Sequence, residues 1–434
     1  GGGGGGYSYG GGGGGGGART EVNAAVPATT YSVTIGGAGH QGQDIGVGWA
    51  GGAGGRTTIG GFTVGGGGAG TTNFQNGAGA PADGGGGGGG NLNGIGASAN
   101  GTYGSAGGGA NGGWFNYAPN AGVTFSPGTG IDFYAIGLLI MGIGSTVSAV
   151  NLTVTVLNMR APGMTLMKMP VFTWMNFVVQ VLLVFALPVI TVALLLLTLD
   201  RMFGAAFFDA SKGGDPFLWE HLFWIFGHPE VYIMVLPAFG MVSEIIPVFS
   251  RKPIFGYPFM VGSGIAIGFM GWGVWAHHMF ASGMGQLSVL AFSLSTLFIA
   301  VPTGVKILNW MATMYGGRIK FTVPMLFSIG LVGMFTIGGL SGVTHAFAPA
   351  DTQQTDTYYI VAHFHYVLFG GALLGMMGGL YFWWPKMFGH FLGERTGKWH
   401  FWLMLVGFNL TFGPMHILGL QGMMRRTFTY TSVQ

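Results

Sequence analysis

The sequence predicts an all-α polytopic membrane protein, and three observations predict it. Charged residues make up 7% of the 434 and apolar residues 49%, with a mean hydropathy of +0.52, far from the roughly 25% charged content of soluble domains. From Trp114 onward the chain holds eight long apolar runs, at about 133–157, 172–199, 221–247, 258–281, 287–313, 323–346, 358–383 and 399–421. Each is long enough to cross roughly 30 Å of hydrocarbon as a helix. The loops between the runs alternate in charge. Arg160 and Lys168, Arg251 and Lys252, Arg318 and Lys320, then Lys386, Arg395 and Lys398 fall in every second loop, opposed only by Glu394. The other loops hold Asp200, Arg201, Asp209, Lys212, Asp215, Asp351 and Asp356. The basic set marks the cytoplasmic side, which orients all eight helices.

Residues 1–113 read differently. Glycine runs at Gly1 to Gly6, Gly10 to Gly17, Gly65 to Gly68 and Gly84 to Gly90 dominate them, and no apolar run of about 20 residues occurs there. Two readings stay open: a low-complexity segment that buries too little surface to fold, or a region whose true sequence these letters do not carry. No chemistry is assigned to it, including its histidine, His40. The domain division is therefore 1–113, Gly-rich, and 114–434, the helical core.

Composition also excludes. A formal net charge of +3 is too small to imply a nucleic-acid partner, and the absence of cysteine rules out disulfides, thiolate metal sites and cysteine nucleophiles. Any metal must be held by histidine, carboxylate or water. A lipid bilayer is the one partner that composition demands.

The core is organised around Trp224-Ile225-Phe226-Gly227-His228-Pro229-Glu230-Val231-Tyr232, which lies inside the third apolar run. On a helix, His228 and Tyr232 share a face while Glu230 looks elsewhere. A carboxyl at membrane depth is expensive to ionise, which suits a group that hands protons on. The orientation of the helices also sets depth. His228 lies about two turns into a helix entering from outside, His277 and His278 near the outer end of the next, and His363 and His365 about one to two turns into another. Five histidines from three helices thus reach one level in the outer third, whereas independent core histidines would scatter.

Spacing divides the five. His363 and His365, two apart, face nearly opposite ways and cannot share an ion, but each can bind a different large cofactor. His277 and His278, with His228, can supply three imidazoles to one borderline-soft ion with an open position, as copper accepts. Two haems and one copper fit this arrangement. Lys306, in Pro302-Thr303-Gly304-Val305-Lys306, lies on the cytoplasmic side of the histidine level with Thr303 on the same face. Pointed toward Tyr232, it reads as a step on a proton path; a snorkelling lysine is the alternative. Arg425 and Arg426 follow the eighth run on the outer side, against the charge rule. They are either an ordinary basic flank or partners for anions such as haem propionates.

These residues resemble a known family. Residues 114–426 are similar to subunit I of haem-copper oxidases of the cytochrome c oxidase type. The likeness rests on Asn158-Met159-Arg160-Ala161-Pro162-Gly163-Met164, Phe223 to Tyr232, Trp275-Ala276-His277-His278-Met279-Phe280, Pro302 to Lys306, and Asp356-Thr357-Tyr358-Tyr359-Ile360-Val361-Ala362-His363-Phe364-His365-Tyr366. The resemblance implies a twelve-helix architecture, of which the eight runs correspond to the fourth to eleventh helices; the first three would fall in residues 1–113 and the twelfth is absent. It implies that His228, His277 and His278 bind copper, that Tyr232 is cross-linked to His228 and donates an electron and a proton, and that His363 and His365 ligate the high-spin and low-spin haems, of the A type. It implies further that Glu230 is a proton branch point, that Thr303 and Lys306 belong to a lysine-containing proton channel, and that Arg425 and Arg426 pair with propionates. Asp356 matches one ligand of a magnesium site, Thr355 standing where many relatives have a histidine.

The activity so implied is O2 reduction to water with electrons from cytochrome c and proton pumping, in a bacterial plasma membrane rather than a mitochondrial inner membrane. Partners would be a subunit II with a dinuclear copper and a subunit III. A quinol oxidase shares the chemistry and differs in its donor. A nitric oxide reductase fits less well with Tyr232, Glu230 and Lys306 together, and a non-catalytic haem sensor or transporter would need no open three-histidine site.

Overall fold

The structure, a computed structural model, describes residues 114–426 and, before them, five strands of two or three residues. These are β1 (Val33–Thr34), β2 (Gln43–Asp44), β3 (Trp49–Ala50), β4 (Thr57–Ile59) and β5 (Phe62–Val64). They pair antiparallel as β1-β4-β5 and β2-β3. β4 and β5 form a hairpin in which Ile59 opposes Phe62. The all-α expectation thus holds from Trp114 onward. His40 and the other features of 1–113 lie outside the described residues.

From Trp114 the chain is helical: α1 (Gly130–Asn158), α2 (Val171–Phe203), α3 (Pro216–Ser250), α4 (Tyr257–Met270), α5 (Gln286–Phe298), α6 (Ala300–Met314), α7 (Val323–Ala346), α8 (Ala348–Gln354), α9 (Tyr358–Val367), α10 (Leu374–Phe388) and α11 (Glu394–Leu420). Seven of the eight apolar runs, α5–α6 and α9–α10 each counting as one, are helices long and apolar enough to cross a membrane. The run at 258–281 departs from expectation. α4 is only 14 residues long, and two 3-10 stretches, Gly271–Gly273 and Trp275–Met279, continue it. Gly271 and Gly273 weaken the α-helix there, and the tighter 3-10 turn carries the two adjacent histidines.

Other helices are interrupted for local reasons. Pro302 has no N–H to offer the Phe298 carbonyl, and α5 gives way to α6 at Ile299. α9 passes into α10 through a π-helical stretch, Leu368–Leu373, the kind of insertion often found beside functional sites.

The described chain divides into two compact units. One comprises residues 114–138, 194–219 and Arg426. In it the Arg201 guanidinium pairs with Asp132 at 2.7 Å and donates to the carbonyls of Ala121, Ser126 and Gly128. The Trp219 indole donates to the Phe115 carbonyl at 2.9 Å.

The second unit, residues 139–193 and 220–425, holds the sequence-predicted histidines. Its core joins Met175, Val179 and Leu182 of α2, Phe239 and Val242 of α3, Trp310 of α6, and Phe327 and Leu331 of α7. α9 packs between α7 and α11. On α11, Leu403, Val406, Leu410 and Ile417 are exposed along one apolar stripe, as a lipid-facing helix requires. At the end expected to be cytoplasmic, Lys252 donates to the carbonyls of Ala312, in the last turn of α6, and of Tyr315 just after it, where a helix leaves acceptors unpaired.

Candidate metal centre

Two helical segments, α3 and the 3-10 stretch Trp275–Met279, bring His228, His277 and His278 together. One ligand nitrogen from each lies within 4.8 Å of the others, and His228 Nδ1 is 3.2 Å from His278 Nε2. His228 sits about three turns into α3 rather than two, because the helix begins at Pro216. Its Nε2 is buried without a partner, and a buried ring nitrogen left so costs about 1–3 kcal/mol unless something binds it.

Aromatic and hydroxyl groups surround the two neighbouring histidines. The Trp275 indole donates to His221 Nδ1 of α3 at 3.2 Å, and Trp224 stacks on the His278 ring with centroids 3.8 Å apart. Thr296 of α5 stands 3.1 Å from His277 Nδ1. Its hydroxyl proton is already given to the Phe292 carbonyl at 2.6 Å, so toward His277 it can only accept. That puts the ring proton on Nδ1 and leaves Nε2 as a ligand atom, the outer-shell arrangement by which metal-binding histidines are oriented.

Tyr232 lies one turn beyond His228 as expected, with ring centroids 4.7 Å apart. A Cβ at Gly271 would stand 3.0 Å from the Tyr232 ring, so glycine there allows the close approach. Glu230 is half-buried. Lys306 is fully buried, but its ammonium turns to α4 and α2 rather than to Tyr232. It donates to the Met260 carbonyl at 2.9 Å and reaches Met175 Sδ at 3.5 Å. A buried amino group needs an acceptor, and the Met260 carbonyl, which also accepts from the Ser263 hydroxyl at 3.1 Å, supplies one. Thr303 donates to Ile299 at 2.9 Å, closing its own helix turn.

His363 and His365 face apart. The His363 Nδ1–H donates to the Gly338 carbonyl of α7 at 2.8 Å, with Ser341 Oγ at 3.1 Å, leaving Nε2 as the ligand atom. A Cβ at Gly342 would come within 2.8 Å of the ring, so α7 can pass beside His363 only as glycine. His365 bonds its own helix at the Val361 carbonyl and stacks on Phe412 of α11 at 3.8 Å. His228, His277 and His278 each lie within electrostatic reach of His363.

The outer-side residues are partly engaged. Arg425 lies over the Phe364 ring at 5.6 Å, and its N–H donates to the Asp356 carbonyl at 2.8 Å. Asp356 takes a left-handed φ of 58°, which aspartate tolerates better than most residues. In the other unit Arg426 lies over Phe115 at 4.6 Å. A buried pair that the sequence reading passed over, His345 Nδ1 and Asp351 Oδ1 at 2.9 Å, adjoins His363 with ring centroids 5.0 Å apart. Burial, reinforced by the nearby Asp356 charge, raises the Asp351 carboxyl to about 7. The spacing of His345 four residues beyond Ser341 and six before Asp351 was the available signal, but nothing in the sequence set this histidine beside His363.

Known proteins share this chain's sequence and fold. The family model described as Cytochrome C and Quinol oxidase polypeptide I matches residues 92–434. Cytochrome c oxidase subunit 1 of Bacillus sp. (strain PS3) is 53% identical over 324 residues, covering 75% of this chain and 52% of that protein. Quinol oxidase subunit 1 of Bacillus subtilis (strain 168) is 54% identical, covering 75% and 50%. The chain therefore spans about half the length of these curated relatives. A solved heme-copper terminal oxidase dimer is similar with a TM-score of 0.53 at 19% identity, over 60% of this chain and 48% of that one, a likeness of fold alone. With its membrane-length helices and bacterial relatives, this is a multi-pass bacterial membrane protein. The motifs, the histidine geometry and the match over most of its length lead to one conclusion: the chain belongs to the cytochrome c and quinol oxidase polypeptide I family, subunit I of the haem-copper oxidases.

Proposed function

We propose that this chain is the catalytic subunit of a terminal respiratory oxidase that reduces O2 to water with electrons from cytochrome c and pumps protons across the bacterial plasma membrane. The observation that supports it most is the convergence of His228, His277 and His278 within electrostatic reach of His363. Family membership implies haems and copper, and the donors fit. Imidazole nitrogens without thiolates suit copper, His228 Nδ1 and His278 Nε2 converge at 3.2 Å, and the Nδ1 contacts of His277 and His363 free their Nε2 atoms.

On this reading His228, His277 and His278 hold one copper, and His363 and His365 hold the high-spin and low-spin haems, of the A type. Bound there, the metals supply electrons and an open coordination position for O2. The chain's own residues do the rest. Tyr232 gives up its phenolic proton and an electron one helical turn from His228. Glu230, on the other face of α3, holds a proton at its carboxyl. Lys306 takes a proton at Nζ from the cytoplasmic side, with Thr303 one turn closer to the site, and its swing away from the Met260 carbonyl is the motion that delivery requires. Arg425 and Arg426 pair with haem propionates, and Asp356 contributes a carboxylate to a magnesium ion. A subunit II with a dinuclear copper and a subunit III complete the assembly.

A reduced-minus-oxidised visible spectrum of the purified complex, with and without carbon monoxide, tests the reading together with copper analysis. Two haem signals, one of them sensitive to carbon monoxide, and one copper in this subunit are expected. A preparation without copper and with no haem reactive to carbon monoxide refutes it in favour of a haem sensor or transporter. A quinol donor is the second reading, favoured by the 54% identity to a protein named quinol oxidase subunit 1. Turnover with reduced cytochrome c against turnover with a quinol separates the two.

A further inference from the structure

Phe412 of α11 stands against His365 of α9 in a way that ligation alone does not call for. The two rings are stacked, with centroids 3.8 Å apart and planes 15° from parallel. Aromatic pairs more often meet offset or edge-on, at about 4.5–7 Å between centroids. The imidazole is fixed at one other point. Its Nδ1 lies 2.7 Å from the Val361 carbonyl, which can only accept, so the ring proton sits on Nδ1 and Nε2 is the atom left for iron. The hydrogen bond holds one edge of the ring, and Phe412 covers a face.

Phe412 is itself held in place. It lies three residues after Asn409 on α11, hence on the same side of that helix. The Tyr366 hydroxyl, on the residue after His365, donates to Asn409 Oδ1 at 2.7 Å, the kind of polar contact that joins helices in a membrane. Phe408 packs on both Tyr366 and Phe412, with centroids 4.7 and 5.3 Å apart. α11 therefore meets α9 at two adjacent residues, by a hydrogen bond at Tyr366 and by a stack at His365. The phenyl face cannot leave the imidazole without breaking the first contact.

A face so placed acts on charge. Aromatic faces are electron-rich and attract positive charge, and an imidazole bound to iron is more positive when the iron is oxidised. The stack stabilises the oxidised form over the reduced one. We propose that Phe412 sets the reduction potential of the haem ligated by His365, holding it below the value that a non-aromatic neighbour would give. This deepens the oxidase reading and rests on its assignment of His365. Phe412 acts through His365 and is a positioning residue that the sequence motifs do not include.

The test is a spectroelectrochemical titration of the purified complex under carbon monoxide, which keeps the high-spin haem reduced and leaves the low-spin band to be read alone. In Phe412→Leu the low-spin midpoint rises by about 20 mV or more, a roughly twofold shift in the ratio of reduced to oxidised haem and the lower end of what one contact of a cation with a ring face supplies. Phe412→Tyr, which retains the ring face, keeps the wild-type midpoint. Pentafluorophenylalanine in place of Phe412 preserves the shape and reverses the polarity of the face. It raises the midpoint beyond that of the leucine variant, and it stands in if the leucine variant loses its haem. An unchanged midpoint in either the leucine or the fluorinated variant overturns the proposal. A wild-type complex without a low-spin haem, or a low-spin band that survives in His365→Ala, brings down the assignment of His365 itself, whatever Phe412 does.

Discussion

Replacing Thr296 with valine should weaken copper binding at His277 by roughly five- to tenfold. The change conserves volume and removes one oxygen, which stands 3.1 Å from His277 Nδ1 and has its own proton committed to the Phe292 carbonyl at 2.6 Å. A buried N–H left with nothing would cost about 1–3 kcal/mol, and outer-shell losses of this kind lower metal affinity about 10- to 100-fold. The lower ends of these ranges, about 1 kcal/mol or about tenfold, set the expected loss. Copper retained against a graded series of chelator, in the intact complex with both haems counted, measures it. Thr296→Ser keeps the acceptor and should bind like wild type. If valine and serine bind copper equally, the threonine only fills space and the tautomer argument for His277 fails.

Four further outcomes follow from the same geometry. His278→Ala should remove copper and O2 reduction while both haems remain visible, and copper at wild-type stoichiometry would contradict the three-histidine assignment. His363→Ala should remove only the high-spin haem and His365→Ala only the low-spin haem, because their contacts lie on α7 and α11 respectively; loss of the same band in both variants would refute this. Gly342→Ala puts a Cβ 2.8 Å from the His363 ring, an overpacking of about 1–3 kcal/mol, and should reduce high-spin haem content selectively, with unchanged content as the contrary result. Lys306→Met should keep haems and copper but stall reduction of the site. Insertion of a lysine costs about 2.5–3.5 kcal/mol, so near-normal oxygen uptake by the methionine variant would mark Lys306 as a structural residue.

The helices were legible because each depends on a one-dimensional quantity, the length of an apolar run. His363 and His365 could be set on opposite faces from their spacing alone, since α9 is regular through both. What failed to show were features in which the backbone leaves the ideal period. The run at 258–281 read as one helix, whereas Gly271 and Gly273 end α4 and His277 and His278 ride on a 3-10 turn; a period of 3.6 carries no information about where such a turn aims its side chains. Lys306 lies on a helix as expected, yet the direction of its side chain was not legible. Four rotatable side-chain bonds let the ammonium choose among acceptors on neighbouring helices, and the Met260 carbonyl on α4 is a backbone atom that no residue letter marks. His345 and Thr296 were hidden for a related reason. Each earns its place through a partner on another segment, Asp351 on α8 for one and His277 beyond α4 for the other, and such pairings exist only after the helices pack. In this protein the ligands announce themselves by residue type and depth, while the residues that fix a ring nitrogen's proton are ordinary in sequence and identifiable only by what they touch.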